Sequence, residues 1–388
     1  MYVISETSDL EQFCAEAAEF DFVTVDTEFH RETTYWPILC LIQAATPKRA
    51  VLIDPLARGL DLAPFFALLA NPETVKVFHA ARQDIEIFVR MTGNVPHPIF
   101  DSQIAASVCG YGDQVSYDNL VQSIVGARLD KSSRFTDWAA RPLTDKQKAY
   151  ALADVTHLRD IYLALVDRLA ELNRLSWMQD ESKIIERLDT YIIQPQNAWK
   201  RLKLKVNRPR DLAALKALAE WREAEAQKLD KPRGRILKDD AIYELAIQRP
   251  TNAAQFERFR AVPKGYGRSQ SAQKVMEISK AIEALDEKTL PRLPDRRRGP
   301  SPKGPVGDLL RVLLKAIAER EGVAARIIAT SDDIDALVLD DNADIPALSG
   351  WRRELFGNKA LAIKHGKIAL LATPKGISEI EVSPKQSR

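Results

Sequence analysis

The chain is poor in cysteine. Its 388 residues include three, Cys14, Cys40 and Cys109, and no two of them lie in a Cys-x-x-Cys pattern. Neither a disulfide framework nor a zinc knuckle is indicated, so a reducing, cytoplasmic compartment is expected. No apolar run approaches the roughly 18 residues that a membrane span requires. The first residues lack a basic stretch followed by an apolar one, so we expect no signal peptide.

Charge is nearly balanced over the whole chain, at +2, but it differs between the two halves. Residues 1–200 carry 19 Lys and Arg against 28 Asp and Glu, whereas the remainder carries 37 against 26. An acidic first half joined to a basic second half suits a metal-dependent catalytic region followed by one that grips a polyanion. A chance difference in surface charge between domains is the alternative interpretation.

One short stretch, residues 22–29, is rich in Val, Thr and Phe and is predicted to form a strand. Because side chains alternate between the faces of a strand, Asp26 and Glu28 project from the same face. Two neighbouring acids among apolar residues repel each other and are costly to desolvate unless a divalent cation lies between them. A solvated edge strand with two surface acids is the alternative.

The pattern around this strand is typical of a mixed α/β sheet rather than a purely parallel one. Further strands are predicted at 2–4, 35–45, 50–53 and 74–78, and helices at 8–19, 62–70, 81–91, 102–108 and 117–125. A capping box at residues 8–11 is expected to start the first of these helices. From residue 210 onward the periodicity is helical, without strands. A Pro-, Gly- and Arg-rich linker interrupts it, and the last dozen or so residues are expected to be frayed.

A long helix is predicted from the capping box at residues 144–147 to about residue 172. Its apolar stripe passes through Leu158, Ile161, Leu165 and Leu169. Extended backwards by four residues at a time, the stripe reaches Asp154 and then Tyr150. Both are therefore expected on the core-facing side, where a carboxylate needs a partner such as a cation.

Asp84 is the fourth candidate acid. It lies early in the helix after strand 74–78, three and four residues before Ile87 and Phe88, so it is expected to face inward. Four acids without a His/Cys cluster suit Mg²⁺ or Mn²⁺ rather than Zn²⁺. Two such ions can activate a water and stabilise a leaving oxygen at a phosphodiester. Tyr150, one turn before Asp154, could orient that water.

Three segments resemble the exonuclease motifs of the DEDD superfamily: residues 25–29 (VDTEF), 77–84 (VFHAARQD) and 150–155 (YALADV). A Tyr four residues before the last Asp resembles the DEDDy branch, because the DEDDh branch has His five residues before and that position is Ala149 here. Residues 100–106 and 137–144 resemble connecting segments of ribonuclease D. Residues 211–285 resemble an HRDC (helicase and ribonuclease D C-terminal) domain, and residues 306–371 resemble a second, degenerate one less clearly.

This resemblance implies an α/β ribonuclease H-like exonuclease domain with a mixed sheet, followed by two all-α HRDC-like helical domains. The expected bounds are 1–205 for the exonuclease domain, 206–290 for the HRDC domain, 291–305 for the linker, 306–375 for the second HRDC-like domain and 376–388 for a C-terminal tail.

The resemblance also implies a hydrolytic 3′→5′ exoribonuclease, expected to be a cytoplasmic monomer without membrane association. Two divalent ions would be held by Asp26, Glu28, Asp84 and Asp154, with Tyr150 positioning the water. The expected substrates are the 3′ ends of structured RNA precursors, notably tRNA 3′ trailers, and the products are nucleoside 5′-monophosphates. A DNA-directed 3′→5′ exonuclease and a non-catalytic RNA-binding scaffold are the alternatives.

Four further side chains are candidates for substrate contact. His79 could lie beside the metals, although a histidine at a strand end often only forms a hydrogen bond within the core. Phe29, Tyr35 and Trp36 could stack on 3′-terminal bases; core packing is as good an interpretation for Phe29, whereas Tyr35 is expected to be exposed. Asp101 either ligates a metal or, as is commoner, caps a helix.

Overall fold

The computed structural model describes residues 3–130, 132–134, 136–203, 205–293, 304–374 and 376–382. Their contacts divide the chain into two units. The first unit comprises the described residues of Met1–Glu28, Cys40–Leu188 and Gly299–Arg388, and the second those of Phe29–Leu39 and Asp189–Arg298. This grouping follows packing rather than the expected succession of domains, so the domain bounds given above stay a prediction.

A six-stranded sheet organises the N-terminal region. Its strands are β1 (Val3–Ile4), β2 (Phe22–His30), β3 (Ile38–Ala45), β4 (Ala50–Ile53), β5 (Val75–Phe78) and β6 (Ile99–Asp101). They are ordered β1-β4-β3-β2-β5-β6. β4 pairs with β1 in parallel and with β3 antiparallel, while β5 is parallel to both β2 and β6. The predicted mixed sheet is confirmed; β6 was not predicted, because three residues are too few to show a periodic pattern.

Seven helices accompany this sheet among the described residues: α1 (Thr7–Ala17), α2 (Ala63–Ala70), α3 (Arg82–Thr92), α4 (Ser102–Val108), α5 (Tyr117–Leu120), α6 (Asp145–Glu171) and α7 (Leu175–Glu186). A short π-helical turn, Val121–Val125, follows α5. The predicted capping box at residues 8–11 is wrong, because α1 begins at Thr7 and Ser8 already lies inside its first turn.

The capping box of α6 is confirmed. The Thr144 side chain accepts a hydrogen bond from the Gln147 backbone N–H, and the Gln147 side chain accepts one from the Thr144 N–H at 3.0 Å. The predicted stripe is also confirmed, since its four apolar members are buried. They pack in one core cluster with Phe22, Val77 and Phe100 of the sheet. α6 is thereby held against β2, β5 and β6.

The second unit has helices α8 (Pro209–Leu229), α9 (Arg233–Ile236), α10 (Asp239–Gln248) and α11 (Gln270–Glu283), with short 3₁₀ segments between them. Its core is formed by buried apolar side chains of the longer helices, including Leu215, Leu218, Ile242, Leu245 and Val275. No strand occurs in its described part after residue 189, as the periodicity predicts.

After the linker, most of which lies outside the described residues, come α12 (Pro305–Glu321), α13 (Ala325–Ile328), α14 (Ser331–Leu339), α15 (Gly350–Arg352) and α16 (Asn358–Lys364). An antiparallel hairpin follows, β7 (Ile368–Thr373) and β8 (Gly376–Glu381). This hairpin makes the expectation of a strand-free region after residue 210 wrong. The expectation of a frayed tail is also wrong for residues 376–382, because β8 pairs along its whole length and Glu379 forms an ion pair with Lys359 at 2.7 Å. Residues 383–388 lie outside the described part.

This C-terminal region packs on α7 within the first unit. The rings of Trp177 and Trp351 stack with centroids 4.2 Å apart, and Arg352 pairs with Glu181. Among the helices that the structure describes, none combines the length and apolar character needed to span a bilayer.

Candidate active site

β2 presents the acidic pair toward α6. Thr24, two residues before Asp26 and therefore on the same strand face, donates a hydrogen bond to the carbonyl oxygen of Val155 at 2.8 Å. Val155 follows Asp154 in α6, so this bond brings the acidic face of the strand to the first half of the long helix. Asp26 and Glu28 are each partly buried there.

A cavity of about 230 Å³ lies between these elements. Three of the predicted catalytic residues, Asp26, Tyr150 and Asp154, are in its wall. Glu28 and Asp84 do not line it. The wall also includes His79, Ser116, Tyr117, Asp118, Leu129 and Arg134.

Asp84 reaches the acidic pair of β2 from helix α3. It lies in the first turn of α3, is buried, and accepts a hydrogen bond from the hydroxyl of Thr27, the residue between Asp26 and Glu28. Burial raises the pKa of Asp84, and the negative charge of Asp26 raises it further. Asp84 is thus attached to β2 and lies within electrostatic reach of Asp26.

All four acids have raised pKa values. Burial is the largest cause for each. The pKa of Glu28 rises to about 9 because the charges of Asp26, Asp154 and Asp84 add to the effect of burial. Burial and the charge of Asp26 likewise raise the pKa of Asp154. Residues from β2, α3 and α6 therefore share one region of unfavourable negative charge.

The donor chemistry of this region fits hard divalent cations, because it consists of carboxylate oxygens without cysteine or a histidine cluster. Over the described ranges, no group of three or more His, Cys, Asp and Glu side chains stands in an arrangement that could hold a metal ion. The four acids are thus brought together, against their mutual repulsion, by the hydrogen bonds of Thr24 and Thr27 in β2 to α6 and α3, and they do not form a closed set of ligands.

Comparison with known proteins agrees with this arrangement. Residues 1–170 match the family model described as 3′-5′ exonuclease, and residues 211–278 match that of the HRDC domain. Ribonuclease D of Nitrobacter hamburgensis is 47% identical over 383 residues, covering 99% of this chain and 100% of the relative. Ribonuclease D of Bartonella henselae is 47% identical over 95% of this chain and 91% of its own length. The chain belongs to the ribonuclease D family.

A solved structure extends this result to the fold. The crystal structure of Escherichia coli RNase D, described as an exoribonuclease involved in structured RNA processing, superposes with a TM-score of 0.82 at 27% identity, over 94% of this chain and 99% of the other. The predicted fold class and the predicted enzyme class, a 3′→5′ exoribonuclease hydrolase, are confirmed. That the region after residue 306 is a second HRDC-like unit stays a prediction, since the matched HRDC domain covers residues 211–278.

Tyr150 in this ribonuclease D homologue is oriented by packing. Its ring lies 6.0 Å from that of Trp138, and it borders a core cluster containing Leu41, Leu52 and Ala151. Burial raises the pKa of Tyr150, and the charges of Asp154, Glu28 and Asp26 raise it further. The hydroxyl therefore keeps its proton at neutral pH and can act as a hydrogen-bond donor in the cavity.

Arg134 is a site residue that the sequence reasoning missed. It lines the cavity, and its positive charge lowers the pKa values of Glu28, Asp154 and Tyr150, opposing the effects that raise them. It lies in the irregular segment before α6, close to residues 137–144 that resemble ribonuclease D. In the sequence, the signal that could have identified Arg134 is its position as a basic residue next to this family-like segment.

The segment that carries Arg134 is anchored through Arg141. The Arg141 guanidinium donates to both carboxylate oxygens of Asp54, at 2.8 and 2.7 Å, and to the carbonyl oxygens of Cys40 and Trp138, each at 2.7 Å. These bonds attach the segment before α6 to strand β3 and to the end of strand β4.

Of the four predicted substrate contacts, His79 is the one in the cavity wall. Its Nδ1 lies 2.9 Å from the Ser102 hydroxyl, and burial lowers its pKa to about 4, so the ring is neutral at physiological pH. Its ring centroid is 5.3 Å from that of Tyr117, which was not predicted and whose hydroxyl donates to the Ala153 carbonyl at 3.1 Å.

Phe29, Tyr35 and Trp36 group with the second unit. The expected exposure of Tyr35 is wrong: it is 3% exposed, because its hydroxyl donates to Glu223 and its ring packs under the Arg233 guanidinium. Phe29 and Trp36 are partly buried, and the Trp36 N–H donates to Asp230 at 2.9 Å. Base stacking by Phe29 and Trp36 stays a prediction.

Proposed function

We propose that this ribonuclease D homologue trims the 3′ ends of structured RNA precursors, with tRNA 3′ trailers as the main substrate, and releases nucleoside 5′-monophosphates by two-metal-ion hydrolysis. The observation that carries the proposal is that Asp26, Tyr150 and Asp154, from a strand and a helix far apart in the chain, line one cavity. The description of the similar E. coli enzyme as acting in structured RNA processing supports the substrate class.

The donor set supports Asp26, Glu28, Asp84 and Asp154 as the holders of two ions, Mg²⁺ or Mn²⁺. When bound, such ions supply an activated water and stabilise charge on the leaving oxygen. The carboxylates themselves supply the counter-charge that retains the cations, and their mutual repulsion in the protein is relieved when they do so.

The remaining wall of the cavity would bind and orient the RNA end. The Tyr150 hydroxyl would donate a hydrogen bond to hold the attacking water, and the Arg134 guanidinium would attract the phosphate. Neutral His79 and Tyr117 offer flat ring surfaces for a terminal nucleotide. A monomeric state and a cytoplasmic location stay predictions that follow from the sequence.

The test is hydrolysis of a 3′-extended tRNA precursor with and without Mg²⁺ or Mn²⁺, with Asp154→Asn beside the wild type. We expect stepwise metal-dependent shortening from the 3′ end and nucleoside 5′-monophosphates as products. Asp154→Asn should lower the rate by about 10³-fold or more, since two-metal activation contributes several kcal/mol and each ~1.4 kcal/mol is tenfold.

A matched single-stranded DNA and RNA pair controls for the nature of the substrate. Faster cleavage of the RNA indicates recognition of the 2′-hydroxyl. Equal or faster cleavage of the DNA, or activity in Asp154→Asn equal to that of the wild type, would overturn the proposal.

A further inference from the structure

Asp101 is a buried acid at the C-terminal end of β6 that does not line the catalytic cavity. It is 3% exposed, and its carboxylate accepts four backbone N–H hydrogen bonds. Two of these come from its own helix α4, from Gln103 at 2.8 Å and Ile104 at 3.4 Å, so Asp101 is the N-cap of α4. The other two come from Ala80 and Ala81, at 3.0 and 2.9 Å.

Ala80 and Ala81 form the turn through which β5 enters α3. Ala80 has a φ of +57°, a left-handed conformation that is uncommon for a residue other than glycine. Ala81 is the N-cap of α3 and supplies no side-chain cap of its own. The carboxylate of Asp101 therefore provides, from the neighbouring strand, the acceptors that hold this turn in place.

The turn sets where α3 begins, and Asp84 lies in the first turn of α3. Asp84 is thus fixed in two ways: its side chain by the Thr27 hydroxyl, and its backbone by the contact of Asp101 with the residues just before the helix. A second contact joins the segment before α3 to the start of α4, since His79 Nδ1 lies 2.9 Å from the Ser102 hydroxyl.

A carboxylate at this position has an electrostatic disadvantage. Its negative charge adds to burial and to Asp26 among the causes that raise the pKa of Asp84. Four N–H donors oppose that disadvantage, because hydrogen bonds to an ionised acceptor are strong, although burial still leaves the pKa of Asp101 raised. An amide in the same place has one acceptor oxygen, and its NH₂ group would meet an N–H donor.

We propose that Asp101 is a positioning residue for Asp84, which holds the start of α3 so that the Asp84 carboxylate meets the acidic pair of β2. The proposal rests on the proposed function, because it concerns how a residue assigned there as a metal ligand is held.

The decisive variant is Asp101→Ser. Serine is a good N-cap and keeps an acceptor for Gln103 and Ile104, but its shorter side chain cannot reach Ala80 and Ala81 as well. We expect kcat on a 3′-extended RNA and the affinity for Mn²⁺, measured by electron paramagnetic resonance, each to fall about 10–100-fold, as when a group supporting a metal ligand is removed. The KM for RNA should stay within about twofold, because Asp101 does not line the cavity.

The matched control is Asp333→Ser. Asp333 is also a buried acid at a helix start, where it accepts the Thr330 N–H at 2.8 Å, but it lies in α14. Asp333→Ser should lose stability through this one hydrogen bond without a change in kcat or Mn²⁺ affinity. Amide exchange of residues 79–88 gives a third readout and should speed up in Asp101→Ser but not in Asp333→Ser.

Three results would contradict the role proposed for Asp101. If folded Asp101→Ser keeps its kcat, Mn²⁺ affinity and amide exchange within about twofold of the wild type, Asp101 is a cap of α4 and nothing more. Equal losses of kcat in both variants would also overturn the inference, since general destabilisation would explain them. If the wild type itself neither binds Mn²⁺ nor cleaves RNA, the proposed function fails first and the role of Asp101 fails with it.

Discussion

Both units bury acidic side chains, and the acidic cluster of the first unit differs from the paired Glu223 of the second. In the second unit Glu223 is 1% exposed and bonds to Arg233 at 2.6 Å and to the Tyr35 hydroxyl. Burial would raise the pKa of Glu223, but the hydrogen bonds from Arg233 and Tyr35 and the charge of Arg233 lower it instead. In the first unit, Asp26, Glu28, Asp84 and Asp154 all have raised pKa values.

The difference separates structural acids from functional ones. A buried acid that serves the fold can be matched by a cation from the same fold, as Glu223 is by Arg233 and Asp211 by Arg249. A cluster of acids whose repulsion exceeds the compensation from the protein is poised for a ligand of opposite charge. Removing an acid of the unpaired cluster and removing an acid that is paired with an arginine should therefore have opposite effects on stability.

The largest effect is expected from Asp26→Asn. Rates of RNA hydrolysis should fall by about 10³-fold or more, because one of the four carboxylates that would hold the ions loses its charge. The midpoint of thermal unfolding, measured without divalent ions, should stay the same or rise, because repulsion with Glu28, Asp84 and Asp154 decreases. A clear fall in the midpoint would show that these acids support the fold, and the contrast with Glu223 would be lost.

Features set by local pattern could be predicted from the sequence. The two-residue period of β2 places Asp26 and Glu28 together, and the capping box at Thr144 with its apolar stripe places Tyr150 and Asp154. These rules act over a few residues, so a single sequence is enough to apply them.

Features set by distant contacts could not be predicted. Tyr35 is buried because of an acid 188 residues later, and the segment bearing Arg134 is held by Arg141 against Asp54, 87 residues earlier. No periodicity connects such pairs. The hairpin β7–β8 was missed for another reason: β7 is a short apolar run soon after α16, and β8 alternates apolar with polar or acidic residues and so resembles a solvated tail.

The next largest effect is expected from Glu223, the acid that is paired with Arg233. Glu223→Gln should lower the free energy of unfolding of the second unit by about 2 kcal/mol, less than for a fully buried pair because Arg233 is 28% exposed. Amide exchange of α8 at pH 7 measures this, with exposed Glu220→Gln on the same helix as the control.

The pH dependence sharpens this second test. Since the pKa of folded Glu223 is below its ordinary value of 4.5, its stabilisation is present above pH 4.5 and is lost as the pH falls through the folded-state pKa. The difference between the wild type and Glu223→Gln should therefore shrink on acidification. A difference that stays constant down to pH 3 would indicate packing rather than charge.

The smallest effect tests the compensating charge inside the acidic cluster. Arg134 lowers the pKa values of Glu28 and Asp154 yet leaves them raised, so the repulsion in the cluster exceeds this compensation. Arg134 also lines the cavity, and we expect its guanidinium to attract an incoming phosphate there. Arg134→Gln should raise the KM for RNA about tenfold and reduce the salt dependence of binding by about one phosphate contact.

Arg128→Gln is the matched control, because Arg128 is exposed in the same segment and does not line the cavity. If Arg134 serves the substrate, its removal weakens RNA binding while Arg128→Gln does not. If Arg134 instead stabilises the acidic cluster, its removal should lower the midpoint of thermal unfolding and leave the KM for RNA unchanged. That result would make the acidic cluster and Glu223 alike in how their charge is compensated, and the distinction between them would then rest on the number of acids alone.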